Sequence, residues 1–134
     1  MTESHPPSKH FKIVHWVACV FLLLMMAQPT FDNIQTLLTG VRVIGEMSVE
    51  VTFSKMVLHI LAMVIGWLGL WWFFKRQKRG AYVSIAAHIL GTVALITQTP
   101  EMLEVFPPLF IAVFFVILFT IVLGPIQLFK DEYS

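Results

Sequence analysis

Four stretches of this chain, residues 13–28, 56–74, 81–98 and 108–128, contain no Asp, Glu, Lys or Arg. Each is close to the 20 or so mostly apolar residues that a helix needs to cross a bilayer, with about 17 as the short limit. Backbone in hydrocarbon must satisfy its N–H and C=O groups internally, so the stretches are read as helices. The composition agrees, with 57% hydrophobic and 13% charged residues in a chain of 134. Soluble domains carry about 45–50% apolar and about 25% charged residues, and one small core could not hide the excess. The expected fold class is therefore an all-α integral membrane protein with four transmembrane helices. A water-soluble enzyme, a nucleic-acid-binding domain and a disordered tail are excluded. A formal net charge of +1 offers no global attraction for an acidic partner.

Lys and Arg in the short loops set the expected orientation. The N-terminal tail, residues 1–12, holds Lys9 and Lys12. The loop 75–80 holds Lys75, Arg76, Lys78 and Arg79, and the tail 129–134 holds Lys130. The opposite side has Arg42 and Lys55 against Asp32, Glu46, Glu50, Glu101 and Glu104. Both termini are expected on the cytoplasmic side of the cell (inner) membrane. Trp67, Trp71 and Trp72 fall toward the cytoplasmic end of the second span, where an aromatic belt belongs. A competing reading makes residues 13–27 a cleaved signal peptide. Met25, which is not small, two positions before Ala27, speaks against it.

The outer loop, residues 29–55, carries two patterns. Asp32 is a plausible N-cap, and Ile34, Leu37, Leu38, Val41 and Ile44 recur at helical spacing with Gln35, Thr39, Arg42 and Glu46 on the other side, which predicts an amphipathic helix in the outer interface. Then Met47, Val49, Val51 and Phe53 alternate with Ser48, Glu50 and Thr52, which is strand periodicity. With no second strand evident, this segment is extended, continues a helix, or adds to a partner's sheet edge. The second outer loop, 99–107, reads as a Thr99 N-cap with Pro100 at the first position of one or two helical turns.

Membrane helices approach closely through small residues. Ala62, Gly66 and Gly69, with His59, form one stripe on the second span. Ser84, Ala87, Gly91 and Ala94 form another on the third, with His88 at its edge. Folded about the basic loop, the two stripes should meet, with Gly66 within a residue or two of Gly91, Gly69 near His88 and His59 near Gln98. The fourth span is Phe-rich without a polar face, and Gly124-Pro125 should kink or end it.

With no charge inside a span, the default functional signal in membranes, histidines carry the candidate chemistry. His59 and His88 are the candidate cofactor-binding residues. His15-Trp16 before an apolar run is similar to the first helix of bacterial membrane di-haem b-type cytochromes. Those proteins also use a histidine pair on a later helix, and the fourth span here has none. At 1.5 Å per residue, the three histidines sit at depths about 6–10 Å apart, which disfavours bis-histidine haem and a shared metal site; a quinone is the other cofactor considered. His88 is expected to hydrogen-bond across the hairpin, His59 to clasp Gln98, and His15 to sit at the interface. His5 and His10 belong to a Pro-rich tail with no specific role. Cys19 is an apolar filler, since nothing nearby would lower its pKa.

No nucleophile-and-base pair, phosphate loop or carboxylate pair is evident. The leading expectation is a non-catalytic accessory or assembly subunit of a larger membrane complex. Its partners are the bilayer and other membrane subunits or copies of itself, not nucleic acid. The alternatives are an electron-transfer or quinone-binding subunit, and passive small-solute permeation by a homo-oligomer.

Overall fold

The computed structural model describes residues 6–134; His5 lies outside them. Four helices are long and apolar enough to cross a membrane: α1 (Lys9–Thr39), α2 (Phe53–Phe74), α3 (Lys78–Gln98) and α5 (Pro108–Leu128). Between them lie a two-stranded hairpin, β1 (Val41–Ile44) and β2 (Met47–Glu50), and the one-turn α4 (Met102–Val105).

The first helix is longer than its apolar run. Ser8 Oγ accepts from the Phe11 N–H at 3.1 Å and starts it four residues early. It then passes through Pro29 without stopping. A proline removes one N–H and frees the carbonyl four residues back, that of Met25. One residue on, the Thr30 hydroxyl donates to the Met26 carbonyl at 2.6 Å, and Trp67 Nε1 of α2 donates to Thr30 Oγ1 at 2.9 Å. The expected separate amphipathic helix is therefore the continuation of α1, about 46 Å long at the standard rise, and Asp32 is an interior residue rather than an N-cap. Gly40, at φ 71, stops the helix with its N–H on the Thr36 carbonyl, since only glycine takes that conformation without strain.

The strand-like segment does have a partner. Val41 and Ile44, read above as helical positions, belong to β1, which pairs antiparallel with β2 from Val41 opposite Glu50 to Ile44 opposite Met47. Gly45-Glu46 makes the two-residue turn, with Gly45 at φ 60, as such turns require. Arg42, Ile44, Met47 and Val49 share the face turned to the bundle. Thr99 closes α3, with its N–H on the Leu95 carbonyl, rather than capping α4.

The hairpin of α2 and α3 is the closest-packed pair, α1 lies on α2, and α5 crosses α1 and α3. The apolar core sits at the end where α2 turns into α3: Phe11, Leu22, Phe73, Leu118 and Val122 are fully buried there. Helix α5 runs through Gly124-Pro125 to Leu128, so that pair does not end it. The buried residues of α5 are Leu118, Val122, Pro125 and Ile126, all in its second half.

Candidate functional site

At the α2–α3 interface the small residues set the spacing. A β-carbon at Gly66 would stand 3.5 Å from Ala87 Cβ, one at Gly91 3.7 Å from Ala62 Cβ, and one at Gly69 2.7 Å from the Ser84 nitrogen. Ala62, Ser84, Ala87 and Ala94 are buried. The stripes meet one helical turn away from the expected register: Gly66 faces Ala87 rather than Gly91, and Gly69 faces Ser84 rather than His88. The reason is Gly80, whose missing side chain lets α3 begin against the backbone of Phe73, where a β-carbon would lie 2.6 Å from Phe73 Cα. The turn therefore closes around Arg76 and Gln77, earlier than the run of basic residues suggests. Arg76 takes a positive φ of 58 there.

The three histidines occupy different levels. His15 is buried within the bundle, at the end where α2 turns into α3. Its ring lies among Phe11, Phe73 and Tyr133. Nδ1 is 2.8 Å from the Tyr133 hydroxyl and Nε2 is 3.3 Å from the Phe74 carbonyl. A carbonyl only accepts, so the network assigns the proton to Nε2, and Nδ1 accepts from the tyrosine. Cys19 Sγ lies 3.5 Å from the same Nε2, buried.

His59 Nε2 and Gln98 Oε1 are 3.0 Å apart near the opposite end of the hairpin. His88 lies between these levels. Its Nδ1 donates to the Ser84 carbonyl of its own helix at 2.7 Å, so the expected bond across the hairpin is absent. A four-residue backward reach is available to any helical side chain, and it is shorter than a bond over the gap to α2. Nε2 makes no hydrogen bond among the described residues. In the observed register His59 and His88 are about 9 Å apart along the bundle at 1.5 Å per residue. That offset does not suit two axial ligands of one haem. Among the described residues no three His, Cys, Asp or Glu side chains group closely enough to hold a metal ion.

His59 and His88 nonetheless line one cavity of about 460 Å³. It opens between α1, α2, α3 and the first half of α5, under the β-hairpin. Gln28, Asp32, Asn33 and Arg42 supply its polar wall, and Met25, Met63, Leu95, Phe110 and Phe114 supply apolar wall. Arg42 is the residue that sequence reasoning misplaced. As part of an amphipathic helix it would face water; as the second residue of β1 it is 7% exposed. Its Nη2 donates to Asn33 Oδ1 at 2.8 Å and contacts Met56 Sδ at 3.6 Å, while Nε has no partner among the described residues. Burial pushes the guanidinium below its usual range and the field of Asp32 acts against that, but arginine begins high enough to stay charged. The available signal was Gly45-Glu46 between two alternating runs, a hairpin pattern. No protein family, curated protein or solved structure matches this chain.

Proposed function

We propose that this protein is a multi-pass protein of the cell (inner) membrane that works as a non-catalytic accessory or assembly subunit of a larger membrane complex. The α2–α3 turn and both termini lie on the cytoplasmic side. The observation that carries the reading is the asymmetry of α5. Its second half is fixed in the core through Leu118, Val122 and Ile126, whereas residues 108–117 include none that is buried. Leu109, Val113 and Val116 form a stripe on the side away from the bundle, with Leu109 76% and Val116 64% exposed. In lipid, helices associate by packing and not by hydrophobicity, so a helix held by one half has its other half free for a neighbour's helix.

Orientation is supported by charge. Arg76 lies over the Phe11 ring, and Ser134 exchanges backbone hydrogen bonds with Arg76 and Lys78. The start of α1, the basic turn and the C-terminus thus share one end of the bundle. Native mass spectrometry of the protein, purified from its own membrane in mild detergent, tests the subunit reading. The expected result is a species heavier than multiples of 15.3 kDa by the mass of other polypeptides. A bare monomer overturns it, and a bare homo-oligomer replaces it with solute permeation.

A further inference from the structure

We infer that the cavity under the β-hairpin binds an amphiphile whose head is an oxyanion, a carboxylate or a phosphate held by Arg42, and whose apolar chain runs between α1, α3 and the first half of α5. The inference is independent of the subunit reading and of any histidine ligation.

The volume of about 460 Å³ lies in the range of sites for small organic molecules, roughly 300–1,000 Å³. The lining is polarised along its length. Arg42, Asn33 and Asp32 gather at the hairpin end, where Arg42 bonds Asn33 and feels the field of Asp32. Toward the middle of the bundle the wall becomes mainly apolar, with Met25, Met63 and Phe114 around the polar His88 and Thr92, and Phe114 lies beside the His88 ring at 6.4 Å between centroids. A polar head and an apolar tail match that gradient, whereas a small polar solute matches only its upper part.

Arg42 decides the charge of the head. More than nine-tenths of it is buried, yet the guanidinium's hydrogen bonds go to an amide oxygen and a thioether, both neutral, and Nε–H is unused among the described residues. A buried charge without a compensating partner is expensive. The guanidinium fork presents parallel N–H groups that match carboxylate or phosphate oxygens in a way no lysine would. Asp32 also lines the cavity. It is half-buried and is not among the guanidinium's hydrogen-bond partners, so it tempers the site's charge without closing it. No residue of the first half of α5 is buried, and Phe110 and Phe114 of that half line the cavity.

The test is a binding titration of the full-length protein in non-ionic detergent with five probes: palmitate, hexadecanol, phosphatidic acid, inorganic phosphate and a neutral quinone. Palmitate or phosphatidic acid should saturate one site at least ten-fold more tightly than hexadecanol, and the tighter of the two identifies carboxylate or phosphate as the natural head. Inorganic phosphate, lacking a chain, should bind at least ten-fold more weakly than either. Arg42→Gln should weaken the acids at least ten-fold, Asp32→Asn should tighten them, and Phe114→Trp, which fills the chain end, should weaken them with Arg42 in place. If Arg42→Gln does not fold, the latter two variants decide. Equal affinity for palmitate and hexadecanol, binding of a neutral quinone as tight as that of the acids, or affinities unmoved by Asp32→Asn and Phe114→Trp would each overturn the assignment.

Discussion

His15 and Tyr133 are 118 positions apart in the chain and 2.8 Å apart in space. The tyrosine reaches back over the end of α2, and His15 passes the contact on to the Phe74 carbonyl, one of the last-turn acceptors that a helix cannot satisfy internally. Tyr133→Phe should keep the aromatic packing with Phe11 and Phe73 and lose only the hydroxyl, at about 1 kcal/mol. Tyr133→Ala also removes the ring and should cost roughly 3–5 kcal/mol, as for other large aromatics. Melting temperatures in detergent rank the two. Burial also raises the Tyr133 phenol above its ordinary value, so ionisation is harder in the folded state than in the unfolded one. Its contribution is complete below about pH 10, where an unfolded tyrosine begins to ionise, and is lost as pH rises from there toward the higher folded value. Stability should therefore fall more steeply above pH 10 in the native protein than in Tyr133→Phe, and parallel curves would refute the assignment. At this scale the sequence was a mixed guide. The His59–Gln98 clasp follows from helix spacing and a reversal, and the structure contains it. The His15 environment depends on where the C-terminal residues return, which no local pattern encodes.

Among the elements, the α2–α3 hairpin gives the sharpest test, because three glycines that look alike in sequence face different atoms. Gly91 meets Ala62 at an ordinary distance, Gly69 meets the Ser84 backbone, and Gly80 meets the Phe73 backbone. Gly91→Ala should be near neutral. Gly69→Ala forces one helix to shift, at about 1–3 kcal/mol for overpacking. Gly80→Ala should be the most damaging, because the three nearest atoms it meets, in Phe73 and Trp72, are all main chain at the pivot of the turn. Thermal stability of the three variants checks the order, and an unfolding temperature for Gly91→Ala below that of Gly69→Ala would show the register to be wrong. Small-residue stripes were legible in the sequence as the faces that meet. Their register was not, because it depends on how tightly Gly80 lets the turn close. The β-hairpin went unread for another reason: Val41 and Ile44 extend the helical period that runs from Ile34, and only Gly40 and Gly45 argue against it.

For the molecule as a whole, the basic end and the acidic end make orientation testable. In a Cys19→Ala background, Ser8→Cys and Lys130→Cys should resist a membrane-impermeant thiol reagent in intact cells, and Glu46→Cys should react. Reaction of the first two, with protection of the third, would invert the assignment.

The sequence by itself determined the class of fold, four apolar helices, because hydrocarbon leaves a spanning backbone no other way to satisfy its hydrogen bonds. It determined the end at which positive charge collects, because runs of basic residues are local. Tertiary structure decided what fills the spaces between those helices. The first apolar stretch ends at residue 28, just before Pro29, yet α1 continues through the proline with Thr30 and Trp67 bonding beside it. Arg42 reads as solvent-facing, yet pairing with β2 turns it inward over the cavity. Both outcomes depend on atoms distant in the chain, and hydrophobic periodicity reports only on neighbours within a turn or two.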